Sequence, residues 1–359
     1  MNAVKRILHK PIFIQLLHWE YWSMPFVYFP TYFYFLWLCI RSGWKYFFTA
    51  ADPLITYGGF LMESKKEIYD SLPTGYYPKT LFFKAGTDPG AVNSDVQRFG
   101  LQYPLIVKPD IGMRGLAAKK VEQVEDLMKF IPVFTIDFLI QEFVPYKKEA
   151  GFFYYRYPGE QEGRLSGIVS KEFLELVGDG KSTLLELLQS DKRFILQIPS
   201  LKKEYKDELD HVLKMGESRE LVPYGNHARG AKFIDDSHLI DAELTAMIHS
   251  FCLQVPEFYY GRLDIRYDNW EDLRKGEKFS VIELNGAGSE PTHMYDPRHS
   301  LFFAWKEIIR HFKILHTISQ RNHKRGFNYM NWSEGSRMFR ASRRYSKRLR
   351  AVHESLLHL

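Results

Sequence analysis

Two short stretches in the second half of the chain place oxygen ligands and cations at strand spacing. In GRLDIRYD (residues 261–268), alternation puts Arg262, Asp264 and Arg266 on one face and Leu263 and Ile265 on the other. In VIELNG (281–286), Glu283 and Asn285 share a face in the same way. If the two strands pair, two carboxylates, an amide oxygen and a guanidinium converge on one sheet face. Mg²⁺ is a hard ion that takes oxygen ligands and is usually shared between one or two carboxylates and nucleotide phosphates. Asp264, Glu283 and Asn285 are therefore read as a metal-binding set, with Mn²⁺ as the alternative ion. The solvated outer face of an antiparallel sheet shows the same alternation, so this pattern needs support from elsewhere.

Two further stretches supply it. VKPDIGMRG (107–115) ends an apolar run and combines Lys108 with Gly112 and Gly115, a loop whose backbone amides can approach phosphates while Lys108 neutralises their charge. It is not a P-loop, and GDGKST (178–183) lacks the first glycine at the required offset. IQEFVPYKKEAG (140–151) is an apolar strand ending in Glu142. The backbone of Phe143 and Val144 beyond it is placed to pair with adenine, and Glu149 to meet ribose hydroxyls. Lys171 and Arg229 are additional cations for developing negative charge. His227 in GNHARG and His293 in SEPTHMYDP sit in polar Gly/Pro contexts, where a loop hydrogen-bonding role competes with substrate contact. No Ser/His/Asp or Cys/His arrangement suggests covalent catalysis.

The elements around these residues read as mixed α/β. YPLIVKPD and DFLIQEFVP are buried strands separated by the amphipathic helix VEQVEDLMKFI. AGFFYYRYPG and RLSGIVSKEFLELVG are antiparallel strands, KSTLLELLQS is a helix capped by Ser182 or Thr183, and DAELTAMIHSFCLQV and LFFAWKEIIRHFKILHTIS are helices. WKYFFTAADP reads as a short strand, and YGGFLMESKKEIYDSLP as a glycine turn followed by a helix from near Glu63.

In this order, a strand lysine before a glycine-rich loop, a hinge-strand glutamate, a second glutamate, an R-x-D strand and an E-x-N strand resemble the ATP-grasp ligases. The stretches ELVGDGKSTLLELL and NGAGSEPTHMYDP resemble the cyanophycin synthetase and D-alanine–D-alanine ligase branch over residues 60–310. The resemblance implies an α/β (α+β) ATP-grasp fold, with subdomains 61–140 and 141–315 clasping ATP. It implies a nucleotide site at Lys108, Gly112, Gly115, Glu142, Phe143, Val144 and Glu149, and a metal site at Asp264, Glu283 and Asn285. Arg262, Lys171 and Arg229 take the catalytic electrostatics. The implied reaction joins a small-molecule or peptide carboxylate to an amine through an acyl-phosphate. A non-catalytic ATP-binding or membrane-associated scaffold of the same fold is the alternative.

Composition bears on the flanks. The 359 residues carry a net charge of +6, but residues 321–359 hold ten Lys/Arg against Glu334 and Glu354, which leaves the rest near −2. A basic helical segment (316–359) on a near-neutral body points to contact with an acidic surface or to a solvated helix, and makes a nucleic-acid function the weakest reading. Aromatic residues form 16% of the chain and cluster in residues 1–60. Tyr21–Ile40 holds no charge and ten Trp, Tyr or Phe, and Pro25 and Pro30 are expected to interrupt a helix there. A segment lying on a membrane surface is one reading, and packing on the protein itself or in a homo-oligomer contact is the other. The start does not read as a cleaved signal. Cys39 and Cys252 in apolar surroundings indicate no disulfide framework, and a cytoplasmic location, free or at the inner face of the membrane, is expected.

Overall fold

The computed structural model describes residues 10–113, 115–222, 225, 227 and 230–359, with only the backbone of Asp207. Its N-terminal segment is helical: α1 (Pro11–Leu17), a 3₁₀ turn (Trp19–Tyr21) and α2 (Met24–Arg41), which takes in most of the uncharged aromatic run. Pro25 occupies the first turn of α2, where its missing N–H is not needed. Pro30 lies inside α2, so the expected interruption does not occur. One lost intrahelical bond is a local cost, and buried Val27, Tyr28, Leu38 and Cys39 pin the helix to the body on both sides of the proline. The stretch expected as a strand before residue 54 is instead a 3₁₀ turn (Phe47–Ala50). Phe47 and Phe48 are both buried, whereas strand alternation would turn one of two adjacent rings outward.

After α3 (Lys65–Ser71), capped by Ser64, the chain builds a four-stranded antiparallel sheet. Its elements are β1 (Thr80–Phe83), α4 (Pro89–Phe99), β2 (Leu105–Pro109), β3 (Lys119–Val121), α5 (Val124–Phe130) and β4 (Phe138–Glu142), with strand order β1-β4-β2-β3. Alternation along β2 sends Leu105 and Val107 into the core under α4 and α5 and leaves Ile106 and Lys108 on the opposite face.

The second sheet is five-stranded and antiparallel, in the order β11-β10-β5-β6-β9. The chain passes through β5 (Lys148–Tyr155) and β6 (Arg164–Glu172), then leaves for a small unit with its own leucine core. That unit comprises β7 (Leu174–Val177), α6 (Leu184–Ser190, with a Thr183–Glu186 capping box), α7 (Lys192–Ile195), α8 (Ile198–Tyr205) and β8 (Ser218–Val222). It returns through β9 (Lys232–Asp235), α9 (Ala242–Leu253), β10 (Tyr260–Tyr267), α10 (Trp270–Arg274) and β11 (Phe279–Asn285). Leu263 and Ile265 of β10 pack with α3 and α9 on one face, leaving the polar set of β10 on the other. This is the arrangement the resemblance implies: two α/β subdomains facing each other over a cleft.

Two long helices finish the chain. Helix α11 (Leu301–Lys324) runs along α2, and its Asn322 amide donates to the carbonyls of Ala50 and Ala51 at 2.9 and 3.0 Å. Helix α12 (Trp332–Leu357) is the basic C-terminal segment, and it is not a wholly solvated helix. Its Leu349, Val352 and Leu356 are buried in the core of the first sheet, with the cations on the outer faces. Leu349→Ala is therefore expected to lower the stability of the whole first subdomain by about 2–5 kcal/mol in urea unfolding, as for a fully buried leucine. A loosely attached segment would show almost no change.

Candidate active site

The polar faces of the two sheets enclose a cavity of about 540 Å³. On its floor, antiparallel register sets Asp264 directly opposite Glu283 and Arg262 opposite Asn285. A β-bulge after Asp264 turns Ile282 as well as Glu283 toward the cavity. Two carboxylates in a cross-strand pair repel each other, and cations surround both. Asp264 accepts from Arg262 Nε and Nη2, each at 3.0 Å, and pairs with Lys171 at 3.0 Å. Glu283 accepts from Lys65 at 2.9 Å. Burial opposes charge on both acids, but Arg262 and Lys171 hold Asp264 below the usual carboxylate range, and Lys65 and Arg262 hold Glu283 down at about 2. Burial likewise opposes the Lys171 ammonium, and Asp264 and Glu149 overcome it.

The strand β5 neighbour of Asp264 is Gly151. A Cβ there would lie 2.9 Å from Asp264 Oδ1 and 3.1 Å from Arg262 Cδ, so the bidentate pair needs a glycine in mid-strand. Glu149, two residues earlier, is buried and bonded to Lys171 at 2.8 Å and to Arg266 at 3.3 Å. Glu149 thus lies in the cavity wall, as part of the charge network.

Lys108 extends from the opposite sheet, donating to Gln141 Oε1 at 2.8 Å and to the Tyr69 hydroxyl at 3.0 Å. Tyr69 in turn donates to the Ile282 carbonyl at 2.6 Å, linking the two sheets across the cavity. Glu142, Phe143 and Val144 line the edge where β4 hands the chain to β5, and Arg266 reaches the Val144 carbonyl at 3.5 Å. Gly112 and Gly115 border the same space. Arg114 and Arg229 lie outside the described residues. Of the two histidines singled out, His227 lines the cavity, stacked at 5.5 Å on both Tyr21 and Tyr295. His293 is buried against Glu307 at 3.1 Å and serves packing.

Several site residues escaped sequence reasoning. Lys65 sits at the first position of α3, where Asp110 accepts from Ser64 and from the Lys66 N–H and so fixes the helix end beside Glu283. The available signal was a lysine at a helix N-terminus, where the macrodipole disfavours a cation. Glu63, two residues before Lys65, is raised to about 7, chiefly by burial, with Lys65 pulling it down and Glu283 adding to the rise. Tyr21, Trp22 and Met24 come from the N-terminal segment, and nothing in their local pattern marked them as cavity lining.

The donor set can be tested against Mg²⁺. Asp264 and Glu283 face each other and both line the cavity, whereas Asn285, two residues beyond Glu283 on β11, is not among the lining residues, and among the described residues no group of three His, Cys, Asp or Glu is placed to hold a metal ion. Both acids already face cations, Asp264 with Arg262 and Lys171 and Glu283 with Lys65, so an ion would share their oxygens with these partners, and the Asn285 Nδ2 is buried with no hydrogen-bond partner. The two carboxylates are oxygen ligands of the kind the ion takes.

His227 generates a pH prediction. Burial, helped by Arg193, lowers its imidazole to about 4. Between that value and the ordinary one near 6.5, the unfolded chain binds the proton and the folded chain does not. Stability should therefore fall as pH drops through that window and level off below it. From about pH 7 to about pH 5 this histidine accounts for a loss of about 2 kcal/mol, which His227→Phe should remove from the pH dependence of the urea midpoint.

Comparison with known proteins adds the following. No family model and no curated protein sequence matches the chain. Among solved structures it is similar to a bifunctional glutathione synthetase from Pasteurella multocida (14% identity, TM-score 0.38, covering 70% of this chain and 35% of that one). It is also similar to the VanG D-Ala:D-Ser ligase from Enterococcus faecalis (13%, 0.40, 71% and 61%) and to a D-alanine–D-alanine ligase from Bacillus anthracis (14%, 0.39, 73% and 67%). The match spans about a third of the first and under two thirds of the second, so the fold rests on the sheets, register and cavity described above.

Proposed function

We propose that the chain is an ATP- and Mg²⁺-dependent ligase that joins a carboxylate to an amine through an acyl-phosphate. The observation that carries this reading is the facing pair of buried Asp264 and half-buried Glu283 on the floor of a cavity also lined by Lys108, Gly112 and Gly115. A protein gains nothing in stability from setting two carboxylates directly opposite each other across a strand pair. A site that binds a metal and polyphosphate has a use for them.

On this reading Asp264, Glu283 and Asn285 would hold Mg²⁺, which when bound offsets charge on the transferring phosphoryl group. Lys108 and Lys65 face the phosphates, and the edge at Glu142, Phe143 and Val144 takes the base. A substrate carboxylate oxygen bonds to the γ-phosphorus as the bridge to ADP breaks. An amine nitrogen then bonds to the acyl carbon, phosphate leaves with the C–O electron pair, and the nitrogen gives up a proton. Arg262 and Lys171, clamped on Asp264, present fixed positive charge to the tetrahedral oxyanion without any reorganisation. No protein nucleophile is required.

The test is release of ADP and phosphate over a panel of carboxylates and amines, with hydroxylamine added to trap the activated acyl group as a hydroxamate. Glu283→Gln should lower turnover by roughly a hundredfold or more, and Lys108→Ala by a comparable factor, with folding intact by circular dichroism. Release of AMP and pyrophosphate would point to adenylation and sink the proposal. So would tight ATP binding with no turnover on any pair, which is the behaviour of a scaffold.

A further inference from the structure

Helix α2 is apolar on every side. A helix of that kind belongs in a core or against lipid, and α2 has a core on only one side. Val27, Tyr28, Thr31, Leu38 and Cys39 face the body. Phe26, Phe29, Phe33, Leu36, Trp37 and Ile40 recur at helical spacing on the other side, with Phe26 72% and Phe33 67% exposed. Helix α1 adds exposed Ile12, Leu16 and Leu17, and α11 adds Phe302 and Ile309 beside the residues that contact α2. The face is much larger than scattered surface hydrophobics require.

The charges around it have one sign. Across α1, α2 and α11 and their connecting turn, the only acids are Glu20 and Glu307, and both are buried. Lys10, Arg41, Lys306 and Lys313 are exposed at the margin, with the Arg41 guanidinium 4.9 Å from the Trp37 ring centroid. Aromatic rings flanked by cations are the composition that settles at the headgroup level of a bilayer. Among the described residues no helix is long and apolar enough to cross a membrane. We infer that the α1–α2–α11 face docks on the surface of a bilayer containing anionic lipid, lying in the interface and not spanning it. The turn between α1 and α2 supplies Tyr21 and Trp22 to the cavity and the first residue of α2 supplies Met24, so docking sets that end of the cavity against the lipid.

The experiment is co-sedimentation of the full chain with phosphatidylcholine vesicles, with and without phosphatidylglycerol, together with quenching of tryptophan fluorescence by brominated phosphatidylcholine. Vesicle binding is expected, roughly tenfold tighter or more with the anionic lipid, and weakened by salt. Bound protein should be quenched, less so in Trp37→Phe. Phe29→Ser with Phe33→Ser should reduce binding at least tenfold with secondary structure unchanged, and Lys306→Glu with Lys313→Glu should abolish the preference for phosphatidylglycerol. Binding to neither vesicle, or bound protein with unquenched tryptophan, overturns the inference. A dimer that Phe33→Ser dissociates, in a protein that ignores vesicles, would assign the face to a second copy and overturn it too. Quenching of the unaltered protein decides the matter even if a variant fails to fold, and none of these readouts depends on nucleotide turnover.

Discussion

The fold is arranged around a constraint on buried charge. Asp264, Glu149, Lys171, Arg262, Arg266, Glu283 and Lys65 are brought together from β10, β5, β6, β11 and the start of α3. Removing any one of them from water is costly unless an opposite charge lies within bonding distance. That requirement fixes the register of four strands. A one-residue slip of β10 against β5 would exchange Asp264 for Leu263, bury an unpaired arginine and turn the apolar face outward. Gly151 and the bulge after Asp264 are the two backbone devices that let the network close.

The same economy of space explains the flanking segments. The N-terminal helices and the C-terminal pair complete the cores of the two sheets, one through Val27, Tyr28 and Leu38 and the other through Leu349, Val352 and Leu356. A buried carboxylate, Asp52, accepts from the Tyr259 and Tyr260 N–H groups at 2.7 and 3.0 Å and ties the N-terminal region to the start of β10. The Tyr57–Gly59 turn docks on Gly286–Gly288 through backbone bonds of 2.9 and 2.8 Å, which is possible only because glycines meet glycines there. The cavity is thus enclosed by parts of the chain far apart in sequence. Its aromatic end, where Tyr21, His227 and Tyr295 stack, is assembled from three such parts.

Local pattern carried a good deal of this. Period-two alternation in residues 261–268 separated the polar face from the core face of β10, because a strand's side chains alternate, whereas in 281–286 the bulge breaks the period and brings Ile282 to the cavity beside Glu283. Lys108, Glu142 and Glu149 were found at the cavity by their place at strand ends. Pro30 and residues 47–50 went the other way: helix and 3₁₀ turn prevailed there because burial of neighbouring rings outweighs local propensity.

What the residue order determined by itself was chemistry and spacing: which strands have a polar face, which oxygens and cations sit on it, and that the N-terminal run has no charge to spare for water. What only the tertiary structure decided was pairing across distance. Lys65 meets Glu283 over 218 residues of sequence, and His227 lies between rings from positions 21 and 295. Such meetings leave no mark on local periodicity, because they are set by how whole sheets and helices must stack to remove apolar surface from water while leaving no buried charge unpaired.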